Sequence, residues 1–313
     1  MGSIHDTVLR IRQRVAALGR GNWLLAVSGG MDSMVLLDAA AETLNHRTLA
    51  VATFDHATGP AAGAAAALVA DRALHLGIGC VSGTAALAGR TESEWRAARW
   101  AFLNDAASRM GATVVTAHTL DDQVETIFMR ALRGAGPRGL AALFAASPVA
   151  RPLLETTRAE IREYATGDGT MFVTDPSNAD MRHLRNRVRL DLLPALESVS
   201  PGFSVSLLEV AEKASSWRAQ MEAVALTFPM MSDSPESHSF ERRPFRGFPA
   251  DSLSCLWPAL CARGGIILDW RGTERLAEFT IEGETGQQIQ LSGGIRVHMA
   301  RQTITFRSAA SNG

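Results

Sequence analysis

Residues 28–33 read Ser28-Gly29-Gly30-Met31-Asp32-Ser33, directly after the apolar run Trp23-Leu24-Leu25-Ala26-Val27 and before a helical stretch over 34–44. A strand, a glycine turn and a helix start in so short a span commit the chain to an α/β unit with an open helix N-terminus. Two adjacent glycines let the backbone pass close to a bound anion, and the first-turn N–H groups face it. Ser28 and Ser33 add hydroxyl donors. Asp32 would repel a phosphate unless a cation lay between them, so the motif implies Mg²⁺ at Asp32. The motif is neither a Walker loop, which needs Gly-Lys-Ser/Thr, nor Gly-x-Gly-x-x-Gly. A plain tight turn of small residues is the alternative, and the agreement of strand, turn and helix context favours the anion site.

Lys213 is the only lysine in the 313 residues. A GC-rich coding bias explains the count, but the consequence is chemical: phosphate handling before residue 213 falls to backbone N–H groups, metal and arginine. Net charge is −1 and hydrophobic content is 46%, which fits a soluble globular protein of up to two domains. No apolar run approaches the roughly 20 residues of a membrane span, so no membrane partner is expected. The N-terminus shows no secretory pattern. Cys80, Cys255 and Cys261 form no CxxC pair, which disfavours a disulfide scaffold or a zinc or iron–sulfur site and points to a reducing cytoplasm.

The first half alternates strands and helices. Residues 48–54 read as a buried parallel strand and 61–76 as its crossover helix. A short strand follows near 80–82, a helix over 92–110, a strand over 112–117 and a helix over 121–132. This is the pattern of a doubly wound, mostly parallel α/β sheet. Residues 134–137 read as a loop. Residues 158–166 read as a helix with Glu160 and Glu163 outward and Ile161, Tyr164 or Ala165 inward, and Asp175-Pro176-Ser177-Asn178 as a turn. Pro194 closes the region, so the expected division is 1–194, a nucleotide-binding domain, and 195–313, a helical plus smaller α+β domain. In the second part, 203–228 reads as one amphipathic helix, 229–239 as a loop and 288–306 as a hairpin-like tail.

Ligands of open α/β sheets lie beyond the carboxyl ends of the strands. Three segments converge there: residues 28–33, Asp55-His56, and His118-Thr119-Leu120-Asp121-Asp122-Gln123-Val124-Glu125-Thr126. In the last, Val124, Ile127, Phe128, Ala131 and Leu132 recur as the buried stripe of a helix. Asp122 falls nearly opposite, with Glu125 about 60° away, so the two are expected to share an exposed face. Thr119 with Asp122 is also a capping-box variant, and first-turn acids answer the helix dipole. Glu125 lies beyond that explanation, and the pair suits a metal or an ammonium group. Arg130, Arg133, Arg138 and Arg151 occupy an acid-free window, and Arg182, Arg185, Arg187 and Arg189 a denser run. Such stripes are an electrostatic footprint for a phosphate backbone, set against the ordinary alternative of a solvated helix face.

Residues 28–33 resemble the pyrophosphate loop of the N-type ATP pyrophosphatases. With His118–Thr126, Arg130–Gly136, Gly139-Leu140, Arg151–Leu153, Asp175–Asn178, Arg185–Arg189, Leu193-Pro194 and the arginine-bearing stretch 94–103, they resemble the tRNA(Ile)-lysidine synthetases over roughly residues 20–196. The resemblance implies that ATP adenylates C2–O of the wobble cytidine in a CAU-anticodon isoleucine tRNA. Free lysine then attacks, and AMP departs. It implies ATP held by Ser28, Gly29, Gly30, Met31, Asp32 and Ser33 with Asp55 and His56, magnesium on Asp32, and lysine on Asp122 and Glu125. His118, Arg99 and Arg185 would act on the intermediate or its phosphates. Arg130, Arg133, Arg138, Arg187 and Arg189 would contact tRNA, and a homodimer is compatible with this reading. One departure stands out. The family's Asp-His-x-Leu-Arg is here Asp55-His56-Ala57-Thr58-Gly59, with no basic residue until Arg72. A tRNA thiolase, an amidase-coupled synthetase and a catalytically weakened RNA-binding paralogue remain as alternatives.

Overall fold

The computed structural model describes residues 4–57, 59–85, 92–234 and 237–307. In chain order its elements are α1 (Ile4–Ala16), β1 (Trp23–Ala26), α2 (Met31–Thr43), β2 (Leu49–Asp55), α3 (Pro60–His75), β3 (Gly79–Thr84), α4 (Glu92–Met110), β4 (Thr113–Val115), α5 (Leu120–Leu132), α6 (Pro137–Leu140), α7 (Arg158–Asp168), α8 (Leu184–Arg187), α9 (Leu193–Val199), α10 (Phe203–Leu226), β5 (Met230–Ser234), β6 (Ser237–Glu241), α11 (Ala250–Arg263), α12 (Trp270–Glu282), β7 (Gln288–Gln290), β8 (Arg296–Met299) and β9 (Thr303–Arg307). They gather into two compact units, Met1–Thr126 with Ser147–Ser204, and Ile127–Ala146 with Val205–Gly313.

In the first unit four parallel strands lie in the order β3-β2-β1-β4. Successive residues of β1 serve opposite faces, as the two-residue period of a strand requires. Leu25 joins Ile11, Met34, Leu37, Val51, Val69 and Tyr164 in one core, while Leu24 joins Ala52, Leu103, Ala106 and Val114 in another. Helices on both faces bury the central strands β1 and β2, which explains their apolar runs, while the edge strand β3 keeps Gly79, Ser82 and Thr84 exposed. Strand order reverses beside β1, so the glycine turn leaves the sheet at its topological switch point, where α/β folds bind ligands. The βα order expected from the sequence is present. Helix α1 adds an element before β1 that the sequence reading lacks, its stripe of Val8, Ile11 and Val15 buried. Helix α7 carries Ile161, Tyr164 and Ala165 inward as its spacing predicts, and Thr157 and Glu160 close a capping box at its start.

The second unit is built on an antiparallel sheet, β5-β6-β9-β8-β7. Trp257 of α11 is enclosed by Phe240, Phe245 and Phe306 and donates its Nε1–H to Thr280 Oγ1 at 2.9 Å. The tail pattern at 288–306 is present as β7–β8–β9. The segment 229–239, expected as a loop, instead pairs as β5 and β6, apart from residues 235–236, which lie outside the described residues. Its polar composition hid the strands because β5 is an edge strand and β6 buries few large apolar side chains, chiefly Phe240. Among the described residues no helix is long and apolar enough to cross a membrane.

Candidate active site

The glycine turn is shaped for close approach. Gly29 has φ +82°, and a Cβ there would lie 2.8 Å from both Cβ and O of Ala65 on α3, so only glycine fits without strain. Its carbonyl accepts the Val173 N–H at 2.9 Å. Ser33 Oγ donates to Gly30 O at 2.9 Å and accepts from Ser28 N–H at 3.1 Å. The serines expected as anion donors thus also brace the turn. Gly30 is the N-cap of α2 and no side chain caps the helix, which leaves first-turn N–H groups for an anion. This backbone cradle fits a pyrophosphate and uses no lysine.

Asp32 stands in that first turn, half-buried. Burial pushes its carboxyl pKa up, Arg158 opposes this, and Asp122 adds to it. An acid so placed gains from a nearby cation. Among the described residues no group of three or more His, Cys, Asp or Glu could hold a metal by itself. Asp32, a single carboxylate beside the uncapped N-terminus of α2, is the kind of ligand Mg²⁺ takes together with substrate phosphates and water.

Beyond β4, Thr119 caps α5. Its N–H donates to Asp122 Oδ2 at 3.0 Å and its Oγ1 accepts from Asp122 N–H at 3.4 Å. The capping reading of Asp122 is therefore realised, but Asp122 does more. Its Oδ1 accepts from Arg185 Nη2 at 2.8 Å and Arg158 Nη2 at 3.4 Å. Glu125 accepts from Arg185 Nε at 2.8 Å, Arg189 Nε at 2.6 Å and Nη2 at 3.0 Å, and Arg158 Nη1 at 3.3 Å. The expectation of an exposed acidic face is overturned: Asp122 is 8% exposed and Glu125 1%. The helical wheel set them off the apolar stripe correctly, but arginines from three later positions cover them. The stripe itself is shorter than expected, since Ala131 and Leu132 are exposed. Burial disfavours both carboxylates, yet the surrounding guanidiniums outweigh it and hold both pKa values below their ordinary range.

His118 extends from the same turn, with Nδ1 2.8 Å from Thr116 Oγ1. Burial lowers its pKa to about 4, Asp122 opposing and Arg151, Arg185 and Arg99 assisting, so the imidazole is neutral at pH 7. Arg99 on α4 is buried at Nε without a hydrogen-bond partner there; burial, Arg96 and Arg185 lower its pKa. His56, after β2, stands edge-on to Phe54 at 5.1 Å, and burial and Arg99 lower its pKa. Asp55 Oδ1 accepts from Ala57 N–H at 2.8 Å, while Thr58 of the divergent loop lies outside the described residues. Asp32, His56, Arg99, His118, Asp122, Glu125 and Arg185 are thus brought to one end of the sheet.

The basic residues divide. Arg187 is exposed, whereas Arg185 and Arg189 of the same run hold the acid pair. Arg130, Arg133 and Arg138 belong to the second unit, where Arg130 donates to Gly139 O at 2.7 Å, Arg138 pairs with Glu222 at 3.1 Å, and Arg133 is exposed. Sequence reasoning missed Arg158. Its signal was faint: Thr157 with Glu160 marks a capping box that places Arg158 at the first position of α7, but nothing local names its partners.

A parallel sheet whose lysine-free glycine turn opens at the switch point defines a nucleotide-binding α/β protein. Residues 5–196 match the PP-loop domain family. The tRNA(Ile)-lysidine synthase of Salinispora tropica is 33% identical over 303 residues, covering 88% of each chain. That of Novosphingobium aromaticivorans is 42% identical over 204 residues, 61% of this chain and 62% of the other. The chain belongs to the PP-loop family and, within it, to the tRNA(Ile)-lysidine synthases. Among solved structures, the U34-tRNA thiolase NcsA of Methanococcus maripaludis, determined with its 4Fe–4S cluster, superposes with a TM-score of 0.55 over 68% of this chain and 78% of that one; at 16% identity it shares the fold.

Proposed function

We propose that this chain ligates free lysine to C2 of the wobble cytidine in the CAU-anticodon isoleucine tRNA, through an adenylated intermediate. ATP transfers AMP to the C2 oxygen and releases pyrophosphate; the lysine amine then bonds to C2, and AMP leaves with the oxygen it activated. The observation that carries this reading is the pairing of two unlike subsites at one sheet end. The uncapped turn at Gly29-Gly30 beside Asp32 suits a triphosphate, and Asp122 with Glu125 suits a cationic nucleophile. Mg²⁺ at Asp32 would offset charge between that carboxylate and the phosphates.

Placement supports each proposed role. Asp55 and His56 flank the nucleotide at the end of β2. Neutral His118 and half-buried Arg99 suit the negative charge that develops on the intermediate, and Arg185, which holds the acid pair, is close enough to lower the pKa of both. Opposite charge raises an ammonium's pKa, so the acids would anchor the α-amino group in its protonated form. The attacking ε-amine must be neutral and lies away from them. The thiolase alternative finds no support in the cysteines: burial raises the Cys80 thiol pKa, and Cys255 and Cys261 lie in the second unit. The exposed Arg187 and Arg133 suit tRNA phosphates, as do Arg130, Arg138 and Arg189 if tRNA draws them from their present partners.

Mass spectrometry of tRNA nucleosides after incubation with ATP, Mg²⁺ and lysine tests the proposal. Lysidine with equimolar AMP is expected. AMP release without lysine incorporation, or sulfide serving in place of lysine, would overturn it.

A further inference from the structure

Three guanidiniums occupy the carboxylates of Asp122 and Glu125, so an incoming ammonium must displace at least one. A displaced guanidinium left in this partly buried cluster would stand uncompensated, and breaking a buried pair in that way is strongly unfavourable. A plain amine offers no remedy. An α-amino acid does, because its carboxylate is attached to the carbon that bears the ammonium. Exchange then replaces one ion pair with two and strands no charge.

Resting on the reading that a free amino acid is the nucleophile, we propose that Arg158 receives the α-carboxylate of that amino acid and makes the site select a zwitterionic head over a simple amine. Arg158 holds the acids at 3.3 and 3.4 Å, while Arg185 holds them at 2.8 Å and Arg189 grips Glu125 at 2.6 and 3.0 Å. The most weakly held guanidinium gives up least on turning to a new partner. Its root is well fixed: the Arg158 N–H donates to Asp121 Oδ2 at 2.7 Å, and the Thr157–Glu160 capping box secures the same helix start. The side chain can therefore redirect its tip without moving its backbone. It is 19% exposed, against 39% for Arg185, so a carboxylate meets it largely out of water, where a planar fork and a carboxylate bond most strongly.

The test compares lysine with lysinamide, whose carboxylate is replaced by a neutral amide, as co-substrates of the full chain with ATP, Mg²⁺ and tRNA at pH 7. In the wild type lysine should exceed lysinamide in kcat/KM by about 10- to 100-fold, mostly through KM, as a charge-assisted contact predicts. Arg158→Gln should bring that ratio to within about threefold of one, and Arg158→Lys should keep part of it. A wild-type ratio near one overturns the proposal. So does a loss in Arg158→Gln that affects both amines equally, which is what a purely structural role would give. If the wild type attaches neither amine to tRNA, the nucleophile itself has been misread and the proposal falls with it. That result is distinct from a ratio of one.

Discussion

Arg189 grips Glu125 with two nitrogens, Nε 2.6 Å from Oε1 and Nη2 3.0 Å from Oε2, in the parallel fork that guanidinium and carboxylate geometry favour. This contact ties the segment after α8 to the first turns of α5, 64 residues earlier. Glu125→Gln should therefore do two things. It should cost about 2–3 kcal/mol of stability in urea unfolding, because the arginine left behind is only partly solvated. It should also raise the KM for lysine more than it slows adenylation of tRNA. A variant with wild-type stability and lysine dependence would contradict both expectations.

Asp32→Ala should abolish AMP formation and leave the circular dichroism unchanged, since the carboxylate is half-buried at a helix start and not part of the apolar core. A lost metal contact is worth several kcal/mol of barrier, hence at least about 100-fold in rate. Chelation of Mg²⁺ in the wild type should give the same phenotype. Turnover by the variant at saturating Mg²⁺ would remove Asp32 from the mechanism.

His118 makes the fold sensitive to acid. Its pKa is about 4 in the folded chain against 6.5 ordinarily. Between those values the unfolded chain binds a proton that the folded chain refuses, so stability rises with pH across that window and is lost on acidification through it. The Tm of the wild type should thus fall more steeply from pH 6.5 to 4 than that of His118→Gln. A His118 imidazole resonance titrating near 6.5 would show the premise to be wrong.

Arg187 and Arg189 are two residues apart yet should behave differently. Arg187→Ala should weaken tRNA binding and reduce the salt slope by about one, as loss of one phosphate contact does. Arg189→Ala should act first on stability and lysine affinity, through Glu125. Equal salt slopes in the wild type and Arg187→Ala would show that Arg187 makes no phosphate contact.

Gly29→Ala should fail in a characteristic way. A left-handed φ costs a non-glycine residue about 1–2 kcal/mol, and the new methyl would also press on Ala65. Nucleotide affinity should drop while the rest of the sheet stays folded, as amide hydrogen exchange would report. Unaltered ATP binding would mean that the turn does not cradle phosphate.

What the sequence made legible was local. A strand, a two-glycine turn and a helix are specified by neighbours, so residues 23–43 read correctly, and the inward face of α7 followed from the spacing of Ile161, Tyr164 and Ala165. The site's electrostatics were not legible, because they are tertiary. Asp122 and Glu125 fall off the apolar stripe and look solvent-facing on a wheel, yet residues 158, 185 and 189 bury them. The basic run at 182–189 reads as a uniform stripe, although Arg185 and Arg189 turn in to the acid pair while Arg187 stays exposed. The strands at 230–241 escaped for another reason: an edge hairpin with few buried apolar residues has no pattern to distinguish it from a loop.

The contact between Gly29 and Ala65 gives the alanine-rich stretch at 61–67 a function beyond composition. Helix α3 passes so close to the loop there that a Cβ on residue 29 would meet the Ala65 methyl and the Ala65 backbone alike. Substituting Ala65 with valine or leucine, thirty-odd residues away in sequence, would lift the loop much as altering the glycine would. The chain therefore carries a second lock on its nucleotide loop that a search for glycine motifs does not see.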